Sequence, residues 1–303
     1  MVHWIKIPYY PGCTLKTTAA NFEVSAIAAM KVLAVDLEEI PRWNCCGTVS
    51  PLSDDNLMNH VAPLRNLIRV QDLGSNRLVT LCSMCYSVLQ VTNNLVKNDK
   101  EKMDRLNAFM SEENDYRGQV KVEHLLQVLN NDVGLDQVQQ MVKKPLKGLK
   151  IAPYYGCMLV RPKVAAIDDQ EEPRIMHRLL EALGADVVND PMKIECCGSY
   201  NTADPKMKEV VVARTRRIIK SVTDRGADAI ALSCPLCEFN LDARQIDARQ
   251  RYPSLKEIPV FYFTQLMALA FGLDQEACGF HLHSINPTIA LSKIGEGVKL
   301  RSV

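Results

Sequence analysis

Short apolar runs alternate with longer stretches of helical spacing along this chain. Ile5-Lys6-Ile7-Pro8-Tyr9-Tyr10 is followed by Ala19 to Ala34, where apolar residues recur every three or four positions. Leu57 to Leu73, Arg174 to Leu183 and Met207 to Thr223 show the same helical spacing, and Arg77 to Leu81 and Ala229 to Leu232 read as strands. Strands alternating with crossover helices predict βαβ units, hence an α/β fold with mainly parallel sheets. The longest apolar stretch, Val260 to Leu273, contains Thr264 and Gln265. It falls short of the roughly 20 residues that span a bilayer, so it predicts a buried strand followed by a helix and no membrane span.

The pattern occurs twice. Ile5 to Cys13 corresponds to Leu149 to Cys157, each an apolar run ending in Gly-Cys. Asn44-Cys45-Cys46-Gly47 matches Glu195-Cys196-Cys197-Gly198, and Leu81-Cys82-Ser83-Met84-Cys85 matches Ser233-Cys234-Pro235-Leu236-Cys237. A fourth, cysteine-free match pairs Val120 to Leu126 with Val260 to Leu266. The repeat predicts two βα-repeat domains related by a pseudo-two-fold axis. Asn98 to Leu149 is the most charged segment and holds Lys143-Lys144-Pro145 and Lys147-Gly148 near its end, which puts the boundary at residue 146. The domains are then 1–146 and 147–303, the second with a C-terminal tail. In parallel sheets, ligand-binding loops gather at the carboxyl ends of the strands. The cysteine motifs fall on loops just after strands, so distant cysteines are expected to meet. The tail after Gly279 has no strong periodicity and reads as an arm or a partner contact.

Composition narrows the picture. With 303 residues, 47% hydrophobic and 23% charged, the chain has the make-up of an ordinary globular protein. Its 36 Lys and Arg nearly balance 35 Asp and Glu, so no net field draws nucleic acid or an anionic membrane. Met1 to Lys6 lacks the basic segment and apolar run of a secretory leader, and a cytoplasmic location is expected. Eleven cysteines there do not make a disulfide framework, because cytosolic thiols are kept reduced. Soft thiolates in such numbers point to metal.

The spacing is Cys-x31-Cys-Cys-x35-Cys-x2-Cys in the first half and Cys-x38-Cys-Cys-x36-Cys-x2-Cys in the second. A Cys-x2-Cys pair lets two thiolates reach one metal or cluster from a single turn, and adjacent cysteines present sulfurs to two irons of a larger assembly. Zinc and a cubane cluster each need four ligands and leave one cysteine over in each half. Buried structural thiols and a zinc-stabilised scaffold are the competing readings.

The five-cysteine pattern resembles the CCG domain that occurs twice in the B-subunit of heterodisulfide reductase, and the resemblance covers nearly the whole chain. It implies that each complete motif ligates a noncubane [4Fe-4S] cluster, in effect fused [3Fe-4S] and [2Fe-2S] pieces sharing one iron. Residue by residue, Cys13, Cys45, Cys46, Cys82 and Cys85 would hold one cluster. Cys157, Cys196, Cys197, Cys234 and Cys237 would hold the other. Relatives in lactate- and glycolate-oxidising enzymes share the repeat, and some lose part of one motif; this chain loses none. An insertion of seven residues between Cys157 and Cys196, in or near Arg161 to Pro173, is expected to lengthen a loop beside one cluster.

Reducing a disulfide takes two electrons, whereas clusters pass one at a time. The resemblance implies that the substrate disulfide lies between two facing clusters, each delivering one electron, so that the chain reduces or reversibly forms a sulfur–sulfur bond. The alternative is an electron-relay subunit of a lactate or glycolate oxidation-type complex. Neither a Gly-x-Gly-x-x-Gly dinucleotide site nor a ferredoxin Cys-x2-Cys-x2-Cys run occurs. By resemblance, electrons come through a ferredoxin-like iron–sulfur subunit and a flavin-containing subunit. No histidine lies in a cysteine motif, so no proton donor is identified.

Smaller features carry less. Cys278 stands outside both repeats and reads as an ordinary thiol; His281, His283 and His124 read as loop or packing features. Tyr9, Tyr10, Tyr154 and Tyr155 are read as packing residues that also have the option of lining the cleft. Gly12, Gly47, Gly156 and Gly198 are expected to allow close approach or positive φ. Arg42, Trp43 and Lys193, just before the Cys-Cys pairs, are candidates for contacting an anionic substrate.

Overall fold

The computed structural model describes residues 4–53 and 55–294. Strands β1 (Ile5–Tyr10), β2 (Val35–Glu39), β3 (Arg77–Thr80) and β4 (Lys121–His124) form a parallel sheet in the order β2-β1-β3-β4. Strands β5 (Lys150–Pro153), β6 (Asp186–Val187), β7 (Ala229–Leu232) and β8 (Val260–Tyr262) repeat it as β6-β5-β7-β8, again all parallel. Helices make the crossovers where the periodicity puts them, Ala20–Val32 and Val61–Asp72 in the first half and Ile175–Ala182 and Lys208–Asp224 in the second, and the structure adds Ser83–Asn98 and Pro235–Leu241 after the Cys-x2-Cys turns. Every residue of β7 and β8 is buried, as expected of parallel strands covered on both faces.

The cysteine-free fourth landmark is a helix-start device, and the strand registers correct its alignment by two residues, setting Val122 and not Val120 equivalent to Val260. His124 and Tyr262 are the N-caps of the helices after β4 and β8, and the Gln three residues on returns to the cap's own N–H, Gln127 at 2.9 Å and Gln265 at 2.9 Å. His124 is fully buried, donating from Nε2 to the Leu81 carbonyl at 2.7 Å while its Nδ1 accepts from Leu126 N–H. It is a packing and capping residue.

The halves share one hydrophobic core. Helix Ala20–Val32, after the first strand of one half, packs on Phe263–Ala270, after the last strand of the other. Phe22 stacks on Tyr262 with centroids 4.2 Å apart, and Ser25 and Thr264 share a hydroxyl hydrogen bond of 2.7 Å. The same pairing recurs in reverse between Leu125–Val128 and Ile175–Ala182, as a pseudo-two-fold relation requires.

Two expectations are refined. The tail is no free arm as far as Ile294, because Phe280, Ile285, Leu291 and Ile294 are buried and Phe280 packs edge-on against Phe261; residues 295–303 lie outside the described residues. The seven-residue insertion does more than lengthen a loop: its short helix Lys163–Ala165 packs across the junction on Ser83–Asn98, with Gln90 Nε2 donating to the Val164 carbonyl at 3.3 Å. Among the described residues, no helix is long and apolar enough to cross a membrane.

Candidate metal centre

At the end of β1 the chain turns through Gly12, whose φ of +74° suits glycine, and a Cβ there would lie 2.9 Å from Cys85 Sγ. Gly156 repeats this after β5 at φ +62°, with 3.2 Å to Cys237 Sγ. Only a missing side chain lets the first cysteine loop of each half close on the Cys-x2-Cys turn. Two residues before each glycine, a tyrosine at or just past the strand end fixes the next loop. Tyr10 donates to the Asn44 carbonyl at 2.9 Å and Tyr154 to the Glu195 carbonyl at 2.5 Å. Each of those carbonyls immediately precedes a Cys-Cys pair. These two tyrosines pack beside the thiols, and Tyr155, which bonds to His177 at 2.8 Å, lines the space next to Cys157 and Cys197.

The Cys-x2-Cys turns start helices. Cys82 is the N-cap of Ser83–Asn98 with Cys85 in its first turn, and Cys234 caps Pro235–Leu241 with Cys237 placed alike. Hydrogen bonds from neighbouring thiols, and burial, push Cys82, Cys85 and Cys237 well above the ordinary thiol range, while the Cys237 hydrogen bond draws Cys234 down. The sulfurs are close: 3.9 Å for Cys13–Cys45, 3.6 Å for Cys46–Cys85 and 3.4 Å for Cys197–Cys237. Cys157 bonds to Cys196, and Cys82 and Cys234 pair with Cys85 and Cys237 respectively. Cys82 and Cys234 also share a hydrogen bond across the junction of the halves. The ten repeat cysteines therefore meet as two groups of five that touch. Cys278 joins neither; it is buried, and burial pushes its thiol up to about 12.

Crowding makes the thiols ionise at one another's expense. The Cys157 hydrogen bond draws Cys196 down to about 6, while the same bond and burial push Cys157 above the ordinary thiol range. Ten soft donors held this close suit a cationic metal assembly, and the spaces that a Cβ at Gly12 or Gly156 would fill lie against the donor sulfurs, so the residues present fit iron–sulfur ligation.

Several contributors carried no clear signal in the sequence. Thr48 and Ser199 have positive φ, 56° and 51°, directly after the two Cys-Cys-Gly turns. A non-glycine residue held there in both copies is the kind of strain found at functional sites. Asn240 donates to Cys197 Sγ at 3.4 Å, and Tyr200, from the second half, bonds to Thr48 in the first. Neither has a like residue at the matching position of the other half: Val88 and Val49 stand there. Lys193 corrects the substrate-contact expectation. Its side chain is 2% exposed and tied to Glu172 at 2.6 Å and Asn189 at 2.8 Å. Trp43 is likewise engaged, donating to Glu39 at 2.7 Å with its ring edge-on to Tyr10. Arg42 stays exposed.

The CCG cysteine-rich domain model matches residues 7–90 and again 151–242. The chain is 33% identical over 282 residues to the 8-methylmenaquinol:fumarate reductase membrane anchor subunit of Wolinella succinogenes, covering 92% of this chain and 97% of that one. It is 26% identical over 294 residues to the B-subunit of the ferredoxin/F(420)H(2)-dependent CoB-CoM heterodisulfide reductase of Methanosarcina acetivorans (96% and 97%). A protein of Archaeoglobus profundus named as like the heterodisulfide reductase B-subunit is 28% identical over 279 residues (90% and 92%). Among solved structures, a hypothetical protein from Helicobacter pylori superposes with a TM-score of 0.72 at 11% identity, covering 93% of this chain and 52% of that one, which is a likeness of fold. With the doubled domain matched over more than half of its length, the chain belongs to the CCG cysteine-rich domain family and is similar over nearly its whole length to heterodisulfide reductase B-subunits.

Proposed function

We propose that this chain is the catalytic iron–sulfur subunit of a heterodisulfide reductase-like complex, with Cys13, Cys45, Cys46, Cys82 and Cys85 holding one noncubane [4Fe-4S] cluster. Cys157, Cys196, Cys197, Cys234 and Cys237 hold the second, and the domains divide at residue 146. The observation that carries this reading is that both halves keep all five thiols and bring them together at the Cys82–Cys234 contact. When bound, the two clusters supply one electron each, which matches the two electrons that a sulfur–sulfur bond takes up.

The protein's own part is positional. Gly12 and Gly156 let the first cysteine loops approach, Tyr10 and Tyr154 hold the Cys-Cys loops, and the Cys82–Cys234 contact fixes the spacing of the two groups. Burial first, and then the neighbouring thiols, push both tyrosine hydroxyls far above the ordinary phenol range. They stay protonated and give no proton to the product, so water at the exposed Cys13 and Cys45 mouth is the proton source. Electrons arrive from a ferredoxin-like iron–sulfur subunit and a flavin-containing subunit. A cytoplasmic setting agrees with eleven unpaired cysteines.

A second reading, an electron-relay subunit, is favoured by the relative named for a fumarate reductase at 33% identity. Anaerobic iron and sulfide analysis with electron paramagnetic resonance decides between them. About eight irons per chain and a signal that appears only with an added thiol support disulfide chemistry. The same iron with a thiol-indifferent signal supports the relay, and zinc in place of iron defeats both.

A further inference from the structure

Behind the second thiol group lies a set of ligating side chains without a sulfur among them. Glu238 and Asp242, four residues apart, share one side of the chain just past Cys237, and His283 reaches them from the tail. One ligand atom from each of the three lies within 4.8 Å of the others. Asp242 is buried and held by the tail itself, accepting from Ser284 N–H at 2.6 Å and Ile285 N–H at 3.1 Å.

The tautomer of His283 follows from Gln265. Gln265 Nε2 donates to the Cys278 and Gly279 carbonyls, at 2.9 and 3.4 Å, and its Oε1 accepts from Tyr262 N–H at 2.9 Å. That oxygen also faces His283 Nε2 at 3.0 Å, so Nε2 carries the hydrogen. In the neutral ring Nδ1 is then a bare lone pair. It has no hydrogen-bond partner, its side chain is 1% exposed, and it points at Glu238 Oε1 from 3.6 Å. A buried lone pair facing a carboxylate is unfavourable unless positive charge stands between them. Tyr262, whose ring lies 6.5 Å from the imidazole, adds a buried hydroxyl without a partner. Burial and the charge of Glu238 push the Asp242 carboxyl up to about 6, a cost that a shared cation removes.

We infer that Glu238, Asp242 and His283 bind one divalent cation of the zinc class, separate from the thiol groups. Two carboxylates and one imidazole form a nitrogen–oxygen donor set of the kind zinc accepts, with a position left for water. The Gln265–His283 hydrogen bond is the orienting contact that metal-bound imidazoles commonly make. The cation fastens the tail to the helix that begins with Cys234 and Cys237. It belongs to one half only, because Tyr86 and Gln90 stand where the repeat would place Glu238 and Asp242, and the tail has no counterpart.

The test is metal analysis and zinc-edge X-ray absorption on the full chain, purified anaerobically with its iron. The expected result is one tightly held zinc per chain with nitrogen and oxygen scatterers at about 2.0–2.1 Å and no sulfur shell near about 2.3 Å. Glu238→Gln and His283→Gln should each weaken zinc retention at least about tenfold while iron and sulfide stay at the wild-type level. Zinc absent from the wild type after dialysis, or zinc with a sulfur shell, overturns the site. So does zinc retention unchanged in both variants. The wild-type spectrum stands whether or not a variant folds, and the iron count reports separately on the thiol groups.

Discussion

Ser83 and Ser233 set their hydroxyl oxygens 2.7 Å apart across the junction of the two halves, each next to one of the cysteines that meet there. Ser83 also donates its N–H to the Ser233 carbonyl at 3.2 Å, with its hydroxyl 3.3 Å from the same oxygen. The two residues are not interchangeable. Ser83→Ala strips Ser233 of its buried hydroxyl partner and should cost about 1–3 kcal/mol. Ser233→Ala leaves the Ser83 hydroxyl its carbonyl and should cost less than about 1 kcal/mol. Anaerobic denaturant midpoints followed by circular dichroism give the order; the reverse order would mean that this contact does not join the halves as described.

The glycine turns set how closely the thiols gather. Gly12→Ala drives a methyl to 2.9 Å from Cys85 Sγ at a φ of +74°, and Gly156→Ala brings one to 3.2 Å from Cys237 Sγ at +62°. Each should deplete its own half, lowering iron towards half of the wild-type content, and Gly12→Ala should be the more severe because its contact is tighter. Iron and sulfide per chain measure both. Full iron in Gly12→Ala would show that the first loop has no need to close on Cys85.

The duplication and the strand–helix alternation could be read from spacing, because a parallel strand buried on both faces and a crossover helix leave different periods in the chain. The ten-cysteine set was legible for a related reason: its members recur at matched offsets. Part of what stayed hidden lacks a repeat partner. Asn240 reaches Cys197 and Tyr200 crosses to Thr48 from one half only, and Lys193, which resembles a substrate contact in the sequence, is held by Glu172 and Asn189. His283 looked like an ordinary loop residue because its partners, Glu238 and Asp242, lie more than forty positions earlier in the chain. Sequence proximity carries no record of such a meeting.

His124 makes a pH test possible. Burial holds its imidazole down at about 4, against 6.5 for the free ring. Between those values the unfolded chain binds the proton and the folded one does not, so stability rises with pH there. The contribution is fully present above about pH 6.5 and is lost as pH falls towards 4, on the order of 3 kcal/mol in all. His124→Asn keeps an acceptor for Leu126 N–H but has no proton to gain. It should be less stable at pH 7, for want of the Leu81 bond, yet lose less on acidification. Parallel loss of stability in wild type and variant would sink the assignment.

The two halves should also differ in how readily they give up iron. Cys13 and Cys45 are exposed, whereas their counterparts Cys157 and Cys196 are only partly so. The second half carries the insertion, whose Lys163–Ala165 turn packs on Ser83–Asn98, and Met158 also lines the space beside Cys157. A chelator reaches a metal through its most open ligands, so iron release should show two phases, each about half of the total for two four-iron clusters. Gly12→Ala, already depleted in the first half, should retain mainly the slow phase, and Gly156→Ala mainly the fast one. Shortening 162–172 should speed the slow phase without touching the fast one. A single phase in the wild type, or a fast phase that survives Gly12→Ala, would show that exposure of Cys13 and Cys45 does not govern access to the metal.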